Sequence, residues 1–198
     1  MRKLTLVLSL ILGFLSAPVW AADTYKIDPV HSNFGFSVKH MMVSNVSGQF
    51  DQYVGQIKFD PKDLAASKID VTIQVASINT RNDKRDGHLR SPDFFDAAKF
   101  PTITFVSKKI TPNEIVGDLT IKGVTKEVII PATISGPINA MGKTLIGING
   151  TFTLNRQDYG VTWNKTLDQG GLAVSNDVVV NVSVEADKQE DAGSNNKK

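Results

Sequence analysis

The chain has 198 residues, with 22 basic and 20 acidic side chains and no cysteine. One domain is the natural interpretation at this length, and the near-neutral charge argues against a nucleic-acid or anionic-membrane partner, which would select a basic excess. Because disulfides cannot form, apolar burial and backbone pairing must hold the fold together.

The first 21 residues have the three parts of a secretory signal peptide. Arg2 and Lys3 give a basic start, residues 4–15 are uncharged and apolar, and small side chains lead up to Ala21. A permanent N-terminal membrane anchor is the alternative, but this apolar run is shorter than the roughly 20 residues of a membrane span. We expect cleavage after Ala21, with cleavage after Ala22 as the near alternative. We also expect a periplasmic location and a mature domain over residues 22–188. Cleavage removes two of the 22 basic side chains and leaves 20 basic and 20 acidic ones.

From Tyr25 onward the sequence is dominated by period-two alternation of Val, Ile, Phe and Thr. This spacing places apolar side chains on one face of a β-strand. Clusters of Gly, Pro, Asn and Asp separate the runs, and such short connections favour antiparallel neighbours. The pattern predicts about eight antiparallel strands. Its clearest runs are residues 34–38, 69–75, 103–105, 119–121, 146–154 and 178–184.

One charged segment, residues 81–96, interrupts the alternation. Ser91, followed by Pro92 and an acid, has the residues of a helix start, with serine as the N-cap and proline at the first helical position. Pro101 would end such a helix, because the residue before a proline is pushed out of the helical conformation. We therefore expect one short helix that begins at Ser91.

The end of the chain has no helix or strand pattern. Residues 189–198 contain no large apolar side chain. A segment that can bury so little surface does not form a packed structure. We expect a disordered polar tail beyond the domain.

Strands of this number, with one apolar face, can pack as a sandwich or close into a barrel with room for one ligand, and the alternation alone leaves both open. Several motifs stand out along the mature chain: DPVHSNFGFSVKHM, VSGQF followed by Gly55, SINTRNDKRDGHLRSPDFFD, PTITF and GDLTIKGVTKEV. In this order and spacing they resemble the YceI family of periplasmic proteins. The resemblance implies an all-β fold, an antiparallel lipocalin-like β-barrel with one short helix. It also implies that the barrel holds a polyisoprenoid chain or a related amphiphile.

The inward face of the strands is the candidate lining of that channel. Burial of each CH₂ group is worth roughly 0.8 kcal/mol and a net hydrogen bond about 1 kcal/mol, so a long hydrocarbon needs few polar contacts. Plain core packing is the alternative for each residue, because a strand pattern does not show whether an inward side chain meets a ligand. The apolar candidates are Phe34, Phe36, Val38, Phe50, Ile73, Val75, Phe105, Ile148 and Phe152.

The resemblance also covers the charged segment. Arg85 and His88 match the family motif, and we expect them to edge the barrel mouth or to meet a ligand head group. The alternative is a polar plug, supported by a pair between Asp86 and Arg90, which lie four residues apart in the favourable acid-first order.

Catalysis is the rival function, as a hydrolase or another enzyme that acts on an amphiphilic substrate at the barrel mouth. Ser91, His88 and Asp86 offer the residue types of a triad, but no G-x-S-x-G elbow accompanies them. The H-E-x-x-H metal motif is also absent. We expect His31 and His40 on one strand, near 30 Å apart at about 3.3 Å per residue, which is too far to share an ion. We expect no catalytic residue, no metal and no cofactor.

These observations predict a periplasmic binding protein that holds a long apolar lipid of the polyisoprenoid or isoprenoid quinone type, for transport, storage or sensing. We expect no nucleic-acid partner and no permanent membrane anchor. The sequence leaves open whether the protein forms a homodimer.

Overall fold

The alternating segments form one antiparallel sheet of eleven strands in the computed structural model, which describes residues 22–168 and 170–190. Turn residues such as Gly142 and the Pro112-Asn113 pair separate the strands. Their bounds are β1 Asp23–Ile27, β2 Asn33–His40, β3 Ser44–Phe50, β4 Tyr53–Phe59, β5 Lys68–Gln74, β6 Ile78–Asn79, β7 Thr102–Ile110, β8 Glu114–Ile121, β9 Val124–Ala140, β10 Lys143–Asn155 and β11 Val174–Lys188.

The sheet closes into a ring. β1 pairs with both β4 and β11, and the rest of the ring runs through β5, β7, β8, β9 and β10. β2 continues β1 along β11, β3 continues β4 beside β2, and β6 continues β5 beside β3. Within the described residues the ring therefore contains eight antiparallel strands in chain order, three of which are interrupted. This confirms the predicted lipocalin-like barrel of about eight strands.

The register places one apolar face inside the barrel. Val180 on β11 pairs with Phe152 on one side and with Phe36 on the other. Because side chains alternate between the two faces of a strand, these three residues share the inner face. Asn181 and Ser183, between the inward valines of β11, are exposed on the outer face.

Buried apolar side chains form two clusters, one toward each end of the strands. The first contains Tyr25, Ile57 and Ile146, all almost fully buried, near the turn between β7 and β8. The second contains Phe94 and Tyr159 and lies beside the segment between β6 and β7. Between the two clusters, the middle of the barrel contains partly buried side chains that pack against both of them.

The one α-helix of the described residues, α1, spans Asp83–Arg90 and lies earlier than the sequence pattern predicted. Asn82 is its N-cap, and the Asn82 side chain accepts a hydrogen bond from the backbone N–H of Arg85 at 3.0 Å. Acidic residues in the first turn favour this start. The described residues contain no helix long and apolar enough to cross a membrane.

The prediction that Ser91 begins the helix is wrong, because Ser91 is its C-cap. The Ser91 backbone N–H and the Ser91 hydroxyl both bond to the carbonyl of His88. The Ser91 carbonyl then accepts from the backbone N–H groups of Phe94 and Asp96, so the chain turns instead of continuing as a helix. A serine–proline pair followed by an acid fits a turn as well as a helix start.

The predicted signal peptide and most of the predicted tail lie outside the described residues, so the domain boundaries remain predictions. At the described end, the backbone N–H of Gln189 donates to the carbonyl of Thr24 at 2.8 Å. This bond extends the pairing of β1 with β11 by one residue.

Candidate ligand-binding cavity

The barrel encloses an elongated apolar cavity of about 210 Å³. Every strand of the ring contributes to its wall, and residues from α1 and the following turns cover one end. On β11 the lining runs from Val174 to Val184. At about 3.3 Å per residue and a strand tilt of about 40°, this corresponds to roughly 25 Å along the barrel axis. The cavity is therefore long enough for an extended hydrocarbon chain.

Eight of the nine apolar residues predicted as lining line this cavity. They are Phe34, Phe36, Val38, Phe50, Ile73, Phe105, Ile148 and Phe152. The exception is Val75, which is fully buried in the second cluster and does not line the cavity. Val75 begins a 3-10 turn that ends the alternation of β5, so the period-two pattern no longer applies to it. Whether the eight residues bind a ligand remains a prediction.

A glycine makes room for one of the aromatic rings in the wall. Gly48 on β3 lies directly across from Phe36 on β2. A Cβ atom at Gly48 would lie 2.5 Å from the Phe36 ring and 2.7 Å from the Thr80 methyl group. The ring therefore occupies the space above Gly48 and lies 5.9 Å from the Phe50 ring. This contact explains why position 48 of β3 is a glycine.

Arg85 does not line the cavity. Its Nε donates to the hydroxyl of Thr80 and its Nη2 to the Thr80 carbonyl, both at 2.7 Å. Thr80 in turn donates its backbone N–H and its hydroxyl to the buried carboxylate of Asp86. The network attaches the start of α1 to the end of β6. The predicted pair between Asp86 and Arg90 is not formed, since Arg90 donates to the carbonyl of Ala76.

His88 lies outside the cavity, in an aromatic cap over its end. The His88 ring contacts the rings of Phe94 and Trp163 edge-on, at centroid distances of 4.9 and 5.0 Å. Its Nε2 lies 2.9 Å from a carboxylate oxygen of Asp93. Phe94 itself lines the cavity. His88 thus supports a lining residue, and contact of its own with a head group remains a prediction.

The residues considered for a triad do not assemble into one. Asp86 accepts from Thr80, His88 faces Asp93, and the hydroxyl of Ser91 donates to a backbone carbonyl. The three side chains therefore form no relay with one another, although they are close in sequence.

Two polar residues that were not predicted as site residues line the cavity. Arg156 is 6 % exposed and Tyr159 is 2 % exposed. Burial lowers the pKa of the Arg156 guanidinium and raises the pKa of the Tyr159 phenol. The signal for Arg156 was present in the sequence, because Phe152, Leu154 and Arg156 continue one alternation into the barrel.

His31 lies in the connection between β1 and β2, so the expectation that it shares a strand with His40 is wrong. Asp28 accepts the backbone N–H of Val30, and this local bond turns the chain before β2 begins. The Nδ1 atom of His31 lies 2.9 Å from Asp28 and 3.7 Å from Glu185 on β11. The hydrogen bond with Asp28 raises the pKa of His31 and lowers the pKa of Asp28. This exposed ion cluster attaches the connection to β11.

Comparison with known proteins gives consistent matches over most of the chain. Residues 25–186 match the model of the YceI-like domain. A UPF0312 protein of Staphylococcus aureus is 43 % identical over 163 residues, which cover 81 % of this chain and 95 % of that protein. A YCEI protein of Campylobacter jejuni aligns with a TM-score of 0.66 at 39 % identity, over 77 % of this chain and 90 % of that one.

Two further solved structures share the fold. BcnA of Burkholderia cenocepacia aligns with a TM-score of 0.71 at 27 % identity, over 80 % of this chain and 98 % of that one. A domain of Saccharophagus degradans described as polyisoprenoid binding aligns with a TM-score of 0.63, over 83 % of this chain and 98 % of that one. Its identity is 16 %, so that likeness is one of fold alone.

Proposed function

The chain belongs to the YceI-like domain family, and on that premise we propose that it binds a long apolar lipid of the polyisoprenoid or isoprenoid quinone type inside its barrel. The observation that carries the proposal is the composition of the cavity wall. Among the described residues that line it, all except Arg156 and Tyr159 are glycines or have apolar side chains. Such a wall suits a hydrocarbon chain, since a sugar, peptide or nucleotide would bury polar groups without partners.

The size of the cavity supports a ligand over an empty interior. Protein interiors are close-packed, with few voids larger than a water molecule. At about 24 cal/mol per Å³, an unfilled apolar cavity of about 210 Å³ costs roughly 5 kcal/mol. That cost is comparable with the free energy of unfolding of a typical domain, which is about 5–15 kcal/mol. A bound chain would remove most of it.

Binding explains the interior better than catalysis does. Among the described residues that line the cavity, the Tyr159 hydroxyl is the only side-chain oxygen, and no general base lines the wall beside it. We therefore propose a carrier, store or sensor that requires no cofactor and whose ligand is the lipid itself. The signal-peptide pattern supports a periplasmic location, where an apolar lipid needs shielding from water.

The related S. degradans domain is described as polyisoprenoid binding, which agrees with this ligand class. Because the likeness to that domain is one of fold, the ligand class for this chain depends on its own cavity. The apolar wall and its roughly 25 Å length, worked from strand geometry, are what support a long chain.

Extraction of the purified protein tests the proposal. The exported chain is isolated without detergent, extracted with organic solvent and examined by mass spectrometry, beside an unrelated exported protein as control. We expect a long-chain prenyl lipid in near-equal amount to the protein. The delipidated protein should also take up a prenyl chain, with a change in the fluorescence of Trp163, because the other tryptophan of the sequence, Trp20, lies in the predicted signal peptide. A folded protein that neither yields nor takes up such a lipid would contradict the proposal.

A further inference from the structure

The turn between β2 and β3 exposes a contiguous apolar surface. Met41, Met42 and Val43 form this turn, which we call the β2–β3 tip. Val43 is 85 % exposed and Met42 is 64 % exposed. Leu172, in the loop that precedes β11, is exposed as well, and the Met42 sulfur occupies the space that a side chain at Gly171 would take. Single exposed apolar side chains need no explanation, whereas a contiguous group of them marks an interaction site.

The stability of the turn does not account for its two methionines. The Val43 backbone N–H donates to the His40 carbonyl at 3.0 Å and closes the turn. The two central residues, Met41 and Met42, have φ angles of 49° and 61°, and asparagine and glycine are the residues that favour such a pair of angles. Other side chains lose free energy in this left-handed conformation, and such strain is typical of functional sites. The turn therefore holds two apolar side chains in solvent at a cost to its own stability.

The β2–β3 tip adjoins one end of the cavity. Val38 is the last residue of β2 that lines the cavity, and it lies three positions before Met41. On β11, Val174 pairs with His40 and also lines the cavity. The Met41 backbone N–H donates to the carbonyl of Ala173 at 2.8 Å and fixes the tip to the start of β11. The exposed apolar surface and the apolar wall are therefore neighbours.

Backbone pairing is incomplete in the wall beside the tip. β3 pairs with β2 along its whole length, but only Gln49 and Phe50 pair with β6 on its other side. Within the described strands, residues 44–48 of β3 have no partner at that edge. Because no strand hydrogen bonds cross this edge, a lipid chain can enter there without breaking the sheet.

The charges around the tip suit the surface of a lipid bilayer. Lys39 precedes the tip and Lys165 begins the adjoining loop, and both are exposed. Within the part of the chain that the structure describes, neither lysine forms an ion pair. Asp168 is the only acid among the described residues of segments 39–44 and 165–172. Lysines beside an apolar surface attract anionic lipid head groups, so charge and apolar surface point to the same partner.

We propose that the β2–β3 tip inserts into the surface of a bilayer that contains anionic lipids, and that the prenyl chain passes between bilayer and cavity at this end. This inference rests on the proposed lipid-binding function. A bilayer takes up apolar side chains, offers anionic head groups to the lysines, and is the source of a membrane lipid. Flexible methionine side chains adapt to such an irregular surface. The contact keeps the chain out of water during transfer.

A double variant removes the apolar tip without straining the turn. Met41→Asn with Met42→Gly introduces the pair that two positive φ angles favour, so the variant should fold with a Tm at least as high as that of the native protein. We expect it to float with vesicles of phosphatidylethanolamine and phosphatidylglycerol at least about tenfold more weakly, because two apolar side chains no longer enter the bilayer.

The turn between β9 and β10 supplies the matched control. Met141 is fully exposed there, has a φ of 50°, and precedes Gly142 at the opposite end of the barrel. Met141→Asn exchanges the same side chain in the same backbone conformation, far from the β2–β3 tip. This variant should bind the vesicles as the native protein does.

Delivery of a prenol by two routes separates docking from binding in the cavity. Vesicles that contain the prenol report transfer from a bilayer, and a cyclodextrin complex supplies the same prenol without one. Uptake is measured by isolating the protein again and extracting the lipid. The double variant should take up prenol from vesicles at least about tenfold more slowly and should bind prenol from cyclodextrin with native affinity.

The outcomes separate this proposal from the function on which it depends. If the folded protein takes up prenol from neither source, the lipid-binding function is wrong. If it takes up prenol from cyclodextrin but binds no vesicles, or if the double variant binds vesicles as tightly as the native protein, the function stands and the docking tip is wrong. A larger loss of vesicle binding in Met141→Asn would place docking at the opposite end. A dimer that dissociates in the double variant, without vesicle binding, would show that a second copy covers the tip instead.

Discussion

Replacing Phe36 with aspartate tests whether the barrel interior holds a lipid. Phe36 lies midway along β2, pairs with Val180 on β11, and lines the cavity beside Phe50. The substitution places a carboxylate in the apolar wall with no cationic side chain paired to it. Burial would cost several kcal/mol or raise the pKa of the new carboxyl, unless water enters the cavity.

The expected loss of lipid affinity follows from the length of hydrocarbon chain that can no longer contact the cavity wall near the new carboxylate. If the carboxylate keeps about one isoprene unit of the lipid from contact with the wall, the five carbons of that unit, at roughly 0.8 kcal/mol each, correspond to a loss of about 4 kcal/mol of binding free energy. A difference of that size weakens binding about a thousandfold. The protein should nevertheless remain folded, because the buried residues of the two end clusters, such as Ile57 and Phe94, are unchanged and Phe36 only packs against the second of them.

The assay pairs circular dichroism with lipid extraction on the same Phe36→Asp sample. Ser37→Asp is the matched control, since Ser37 is the next residue on β2 and faces outward, and it should keep native lipid. An unfolded Phe36→Asp protein would show that Phe36 is packed core. A folded variant with native lipid content would show that the inner face of β2 is not the binding wall.

Three further predictions follow from particular contacts. Gly48→Ala should displace the Phe36 ring into the cavity, since the added Cβ would lie 2.5 Å from it, and so reduce lipid uptake by the folded protein; unchanged uptake would contradict this. His31→Gln should lower Tm relative to the native protein at pH 6 but not at pH 8.5. The reason is that Asp28 raises the pKa of His31, so this stabilisation is present below the ordinary histidine value of about 6.5 and is lost as pH rises through the raised value; an equal effect at both pH values would refute it. N-terminal sequencing of the exported protein should begin at Ala22, and an intact Met1 in the membrane fraction would refute cleavage.

Much of the fold could be predicted because the alternation of apolar and polar residues indicates which face of a strand is buried. Residues 34–38 and 178–184 alternate without interruption, and both segments line the cavity as the pattern indicates. The prediction failed where local bonds replace the alternation. Val75 enters a 3-10 turn, and Asp28 turns the chain ahead of β2. Closure into a barrel was not encoded in any one strand, since it depends on the pairing of β1 with β11 across the whole chain.

The polar part of the site was harder to predict than the apolar wall. Arg85 and His88 were predicted to edge the barrel mouth or meet a head group because they match a charged motif, but Thr80 and Asp93 hold them outside the cavity. Arg156 lies at the end of an apolar run, and its guanidinium donates to oxygens up to 20 residues away in sequence. A sequence shows donors and acceptors but not which of them stay unpaired.

On the proposed function, the cargo is also part of the hydrophobic core. The chain has no cysteine, so the domain cannot gain the roughly 2–4 kcal/mol that a disulfide contributes. A lipid present at about a hundred times its Kd stabilises the folded state by about 2.7 kcal/mol, which is a comparable amount. The empty barrel is then the less stable state, with an unfilled cavity between its two clusters. Release of the lipid therefore requires an acceptor that offers the chain an equally apolar environment, such as a membrane, because water does not.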